Sequence, residues 1–204
     1  AKDRGRALTS FRRAAQNGDL HAQLVLAFVE ENSPEKAFGM IKKVAEQGYA
    51  PAQNNLGLCY EEGIGTPKDP QQAFVWYQKA AEQGFAAAQN KLGFCYQQGI
   101  GTPKDPQQAV FWYQKAAEQG DRFAQFSLGV CYAEGIGTPK DPQQAFIWFQ
   151  KAAEQGYAYA QTFLGIYYER GIAVSRDLQQ AVFWYQKAAE QGEKTAQKRL
   201  QELR

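Results

Sequence analysis

The sequence is short of the residues from which most catalytic and metal sites are built. It contains one histidine, His21, and three cysteines that stand far apart. No nucleophile therefore has a base at hand to activate it, and no glycine-rich phosphate loop is present. An excess of charge is also missing: 23 Lys and Arg face 21 Asp and Glu, with no long block of either sign. A nucleic-acid binder ordinarily gathers Lys and Arg on one face, so the balance argues against that class. No apolar run approaches the roughly 20 residues that a membrane span requires. The chain opens on Ala1, so the lack of an apolar leader decides nothing about compartment.

What the sequence has instead is a period. Trp76, Trp112, Trp148 and Trp184 are spaced by 36 residues, as are Cys59, Cys95 and Cys131, and as are Gly48, Gly84, Gly120, Gly156 and Gly192. A degenerate earlier copy ends at Gly18, only 30 residues before Gly48, so one inter-helix loop has lost six residues. Self-similarity at such a period is the signature of a stacked-repeat architecture.

Each unit reads as two helices. Ala73, Trp76, Tyr77, Ala80 and Ala81 form one apolar stripe at helical spacing, and Ala88, Leu92, Cys95 and Tyr96 form another. Gly84 and Gly99 supply the left-handed residues that end helices, and Gly93 has no side chain where two helices must approach closely. Asp69-Pro70, Asp105-Pro106, Asp141-Pro142 and Asp177-Leu178 start the following helices, with Ser33-Pro34 as the short-loop version. The aspartate is expected to cap and Gln108 to complete a capping box, at about 1 kcal/mol per cap. The expected order is a lead helix at 4–17, pairs near 19–47, 50–83, 86–119, 122–155 and 158–191, and a polar capping helix at 194–203, together one array over 1–204. The loop from Gly171 to Arg176 departs from the Gly-x-Gly spacing of the others.

The pattern Ala-Gln-x-x-Leu-Gly-x-x-Tyr, then Gly-x-Gly-x-x-x-Asp, then Gln-Ala-x-x-Trp-Tyr-x-Lys-Ala-Ala-Glu-Gln-Gly resembles the Sel-one-like repeat, a relative of the tetratricopeptide repeat. Its clearest copies run from Ala88 to Gly120 and from Ala124 to Gly156. The resemblance implies an all-α, right-handed α/α superhelical solenoid of antiparallel helix pairs. It also implies scaffold or adaptor work through protein contacts, and bacterial members of the family are well represented.

Positions that vary among the copies are free for a task other than stacking. On one helix of each pair they fall at i, i+3, i+7 and i+10, opposite the buried stripe. These are Pro51, Asn54, Leu58 and Glu61; Ala87, Asn90, Phe94 and Gln97; Phe123, Phe126, Val130 and Ala133; and Tyr159, Thr162, Ile166 and Glu169. The first copy contributes His21, Leu24, Phe28 and Glu31. By resemblance to tetratricopeptide arrays, this face lines a concave groove. Its apolar and aromatic side chains fit a peptide or protein partner, with Phe123, Phe126 and Tyr159 as anchors. Exposure is expected at the series of 87 and 90, whereas that of 94 divides evenly between groove and inter-repeat packing.

A second stripe, Val75, Phe111, Ile147 and Phe183, is expected to be partly covered by neighbouring helices, with self-association as the other reading. Equivalent stacked helices stand about 9–10 Å apart, beyond the reach of a disulfide, so the cysteines read as small buried apolar residues. Catalysis, a cofactor and a metal are not expected, nor are a nucleic-acid partner or membrane insertion. The runner-up functions are a structural spacer or self-assembling array and, more distantly, a helical-repeat RNA binder.

Overall fold

The computed structural model describes residues 2–29 and 33–203, and among these every regular element is an α-helix. The chain divides into two compact units, residues 1–104 and 105–204. The first holds α1 (Lys2–Gln16), α2 (Leu20–Val29), α3 (Pro34–Glu46), α4 (Ala50–Glu62), α5 (Pro70–Glu82) and α6 (Ala86–Gln98). The second holds α7 (Pro106–Glu118), α8 (Arg122–Glu134), α9 (Pro142–Glu154), α10 (Ala158–Arg170), α11 (Leu178–Glu190) and α12 (Lys194–Glu202). Within each unit every helix packs on the next one in sequence.

The boundaries follow from local chemistry. Asp69, Asp105 and Asp141 have extended backbones, and each carboxylate accepts the N–H of the glutamine three residues on, at 3.0 Å. Asp177 accepts from Gln179 and Gln180. At three of these caps the backbone N–H of the aspartate is engaged as well. The N–H groups of Asp69, Asp141 and Asp177 donate to the carbonyls of Tyr60, Tyr132 and Tyr168 at 2.8–2.9 Å, which ties each cap to the preceding helix. Ser33 does not cap at all: its hydroxyl turns to the Glu35 carboxylate, whose pKa that bond lowers.

Three of the glycines within the helices are packing residues. A Cβ on Gly57 would stand 2.7 Å from the Tyr77 ring, one on Gly129 2.7 Å from Phe149, and one on Gly165 2.6 Å from Tyr185. Hydrogen at these positions lets an aromatic ring lie flat against the neighbouring helix backbone. The stripe residues Ala73, Trp76, Tyr77, Ala80 and Ala81 are all buried, as are Ala88, Leu92 and Cys95, while Tyr96 is half-buried. The deepest large side chains are Tyr77, Tyr113, Phe149 and Tyr185 rather than the tryptophans. Trp76 and Trp148 are buried at 8% and 9% exposure, but Trp112 and Trp184 remain half-buried. Lysine ammonium groups lie over the Trp76 and Trp148 rings at 4.1 and 4.0 Å, shielding their outer faces.

One buried polar feature escaped the stripe reading. Gln53, Gln89, Gln125 and Gln161 are buried, and their side-chain amides donate to the carbonyls of Ala45, Ala81, Ala117 and Ala153 at 3.1–3.2 Å. Each therefore satisfies a terminal carbonyl of the preceding helix. The amides of Gln83, Gln155 and Gln191 in turn donate to Gln53, Gln125 and Gln161 at 2.6–2.8 Å. One glutamine thus joins three successive helix ends. The recurrence of Ala-Gln in every copy is the signal in the sequence, masked because an amide reads as a surface group.

Candidate functional site

The variable positions do not form one uniform open face. On α8 and α10, Phe123 is 45% exposed and Tyr159 55% exposed. Tyr157, at the N-cap of α10, joins them: its ring centroid lies 5.3 Å from that of Phe123, 5.2 Å from Phe126 and 5.6 Å from Tyr159. The Arg122 guanidinium sits 5.0 Å over the Phe123 ring, and one of its N–H groups approaches the Gln155 carbonyl at 3.5 Å. Burial raises the pKa of the Tyr157 phenol, aided by Tyr159 and opposed by Arg122. The aromatic groups are thus held by one another before any partner arrives. Tyr157 and Arg122 were not among the residues selected from the sequence, because they lie just outside the i, i+3, i+7 pattern.

Phe126 belongs more to the core than to the surface. Its ring is half-buried and packs against Phe149, Tyr157, Tyr159 and Phe163, at centroid distances of 5.2–6.3 Å. Thr162 and Ala133 are buried outright, at 3% and 9% exposure. The Thr162 hydroxyl donates to the Glu193 carboxylate at 2.8 Å, and that carboxylate also accepts the N–H groups of Thr195 and Ala196. Burial alone would raise the Glu193 pKa, but the Ala196 N–H, the Thr162 hydroxyl and the Thr195 N–H outweigh it and hold the carboxyl below its ordinary value. The expected exposure at the series of 90 therefore fails at Thr162, whose hydroxyl is needed to support the cap of α12.

Glu61 and Glu169 also have internal partners. The Tyr77 hydroxyl donates to Glu61, which takes the Lys91 ammonium at 2.9 Å. The Tyr185 hydroxyl donates to Glu169 at 2.5 Å, with Arg199 at 3.7 Å. These carboxylates are positioned by buried phenols rather than left free for a ligand. Elsewhere Pro51, Ala87, Asn54, Asn90, Leu58 and Gln97 are half-buried, and the Asn54 side-chain oxygen is shielded without a hydrogen-bond partner. In the series of 94, Phe94 is 41% exposed, whereas Val130 and Ile166 pack partly against the core. In the first copy His21 and Phe28 are exposed and Leu24 is buried; Glu31 lies outside the described residues.

The second stripe is more open than expected. Val75, Phe111, Ile147 and Phe183 are 40–47% exposed, and the lysines of the next turn lie 4.6 Å over Phe111 and 4.5 Å over Phe183. The cysteines are free and buried. Among the described residues no group of His, Cys, Asp and Glu could hold a metal ion, and no helix is long and apolar enough to cross a membrane.

Helices repeated at one interval, joined by the same cap and sealed by the same glycine–ring contact, define a helical-repeat protein. The Sel1 repeat matches residues 50–85, 86–121, 122–157 and 158–193, and the chain belongs to that family. Its structure is similar to that of a protective antigen of uropathogenic Escherichia coli strains displaying an SLR fold. That likeness has a TM-score of 0.88 and 38% identity, covering 95% of this chain and 43% of the antigen. It is also similar to a Sel1 repeat protein from Oxalobacter formigenes, at TM-score 0.85 and 34% identity over 95% of this chain and 86% of the other. Among curated proteins, the DAP3-binding cell death enhancer 1 of rat is 54% identical over 33 residues, which are 16% of this chain and 6% of the relative. The chain thus spans less than half of the E. coli antigen and a small fraction of the curated relative. Both structural neighbours are bacterial, and the fold is a Sel1-type helical solenoid. Sel1 repeat proteins generally mediate protein–protein contacts, on a fold that is generally a non-catalytic scaffold.

Proposed function

We propose that this chain is a non-catalytic adaptor that holds a peptide segment of a protein partner on the α8–α10 face. The observation that carries the reading is the aromatic group of Phe123, Tyr157 and Tyr159. Two of its rings are about half exposed, yet all three are braced by neighbouring rings, Phe123 and Tyr157 edge to face and Tyr159 at a tilt. Rigid aromatic side chains that lose little entropy on contact are the usual anchors of an interface. Arg122, already stacked on Phe123, offers a guanidinium to a carboxylate or carbonyl of the segment. A short extended or helical segment with apolar anchors fits this chemistry.

Selection of a random peptide library on the whole chain tests the reading. Peptides rich in apolar and aromatic anchors should be enriched on the parent sequence and lost on Phe123→Ser/Tyr159→Ser, whose melting temperature stays within about 2 °C of the parent. Enrichment that survives the double substitution would place binding elsewhere. The exposed Phe111, Ile147 and Phe183 on α7, α9 and α11 favour a second reading, self-association. Sedimentation over a hundredfold range of concentration separates the two, because an adaptor of this kind stays monomeric.

A further inference from the structure

An apolar cavity of about 140 Å³ opens in the first unit, lined by residues of α2, α3 and α4 with Ile64 beyond them. Its walls include Ala37, Phe38, Cys59 and Ile64. One repeat further on, the counterparts of these four residues are Ala73, Phe74, Cys95 and Ile100, and those four gather around the Tyr77 ring. The residue standing in the place of Tyr77 is Ile41, which has no ring. The space that an aromatic side chain fills in one repeat is therefore empty in the repeat before it.

The opposite wall changed in step. Gly57, Gly129 and Gly165 make room for Tyr77, Phe149 and Tyr185, but their counterpart beside Ile41 is Ala27, which also lines the cavity. The mouth is apolar and open: Phe28 is 57% exposed and Ile64 45%, whereas Ile100, Ile136 and Ile172 are half-buried. Asn55 is the single polar lining residue. Apolar cavities of about 150 Å³ stay dry and accept a benzene-sized ring.

We infer that this cavity is a receptor for the phenyl ring of a phenylalanine side chain carried by a protein partner. The occupant is read from the chain itself, since one repeat further on the same four wall residues gather around the Tyr77 ring. The phenyl rather than phenol form follows from walls that are apolar apart from Asn55. The site lies in the first unit and stands independently of the α8–α10 face.

Melting of the full chain with benzene, N-acetyl-phenylalanine amide and N-acetyl-alanine amide tests the assignment. Benzene and the phenylalanine amide should each raise the melting temperature saturably, by about 2–5 °C, and the alanine amide should not. Ala27→Gly/Ile41→Phe, which restores the glycine–ring arrangement, should melt higher than the parent and lose both shifts. Asn55→Phe, which copies the natural Phe163 at the same repeat position, fills the space from the other wall and should lose them too. Phe123→Ser/Tyr159→Ser should keep them, so this site and the α8–α10 face fail separately. No shift in the parent, an equal shift in the filled variants, or a benzene shift without one for the phenylalanine amide would overturn the proposal.

Discussion

The Tyr77 hydroxyl donates to the Glu61 carboxylate, a pairing that one later repeat keeps and another loses whole. Lys91 completes the first group, and Glu169, Tyr185 and Arg199 repeat it in the second unit. Between them, at the same repeat positions, stand Gln97, Tyr113 and Ser127, then Ala133, Phe149 and Phe163, with the two phenyl rings 5.0 Å apart. In the Phe149 copy the ring has lost its hydroxyl, and the carboxylate and the cation have both given way to apolar groups. A buried phenol without an acceptor would cost the desolvation of its hydroxyl, and a half-buried carboxylate without donors would cost more. In the copies at Tyr77, Phe149 and Tyr185 the three positions therefore act as one packing unit rather than as three independent surface choices.

Glu61→Ala alone should destabilise the chain by about 1–3 kcal/mol, because it leaves the Tyr77 hydroxyl buried without its acceptor. Glu61→Ala/Tyr77→Phe should recover most of that loss, since it recreates the pair found at Ala133 and Phe149. Urea denaturation of both single variants and the double variant measures the coupling; additive losses would show that the hydroxyl has another acceptor.

Ala173 has a left-handed backbone with φ of +61°, the one such non-glycine among the described residues. It occupies the place where Gly65, Gly101 and Gly137 have φ of 67–68° in the other loops. An L-residue there costs about 1 kcal/mol relative to glycine. Ala173→Gly should therefore stabilise the chain by about 0.5–1 kcal/mol, offset in part by the greater freedom of glycine in the unfolded chain and by the packing of the Ala173 methyl against the Phe149 cluster. A thermal melt is sufficient, and a lower melting temperature would mean that the methyl contact outweighs the strain.

The three aromatic residues chosen from the sequence as anchors should part company on substitution. Phe123→Ser and Tyr159→Ser should each change stability by no more than about 0.5 kcal/mol, as exposed sites do. Phe126→Ser should cost about 2–4 kcal/mol, because it empties a position between Phe149 and Phe163. Equal losses at all three would mean that the exposed rings are as much a part of the core as Phe126.

The repeat made the fold legible because its signals are local and recur: an aspartate before a proline, alanines and an aromatic at helical spacing, a glycine at each end. The glycine–ring contacts were foreseeable in kind, since only a missing Cβ admits a ring so close. The open or closed state of an individual variable position was much less so. Thr162 is closed because Glu193, 31 residues later, needs its hydroxyl, and Glu61 is engaged because position 77 is tyrosine. Such choices depend on residues one helix or one repeat away, and a face drawn from spacing along one helix does not contain them. The empty ring position beside Ile41 was visible in the sequence as a substitution, but only the surrounding walls show that nothing else fills it.

The buried thiols supply a test in alkaline solution. Burial pushes the Cys131 pKa up to about 11 and Cys95 to about 12, the latter also through the Glu61 charge and against Lys91, and burial raises Cys59 as well. An unfolded thiol titrates near 8.5, so above that pH the unfolded chain releases protons that the folded chain retains. A group whose folded pKa is raised gives stability that is present in full below its unfolded value and is lost as pH climbs through the folded one. Stability should accordingly be level up to about pH 8 and fall between about pH 9 and 11, by about 1.4 kcal/mol per pH unit for each thiol in its window. The tyrosines Tyr77 and Tyr185, whose pKa values burial also raises, add to the loss above about pH 10. Cys131→Ala should lower stability at neutral pH and reduce the slope between pH 9 and 11. Urea midpoints that stay constant across that interval, or a slope unchanged by the substitution, would show that the Cys131 thiol ionises as freely in the folded chain as in the unfolded one.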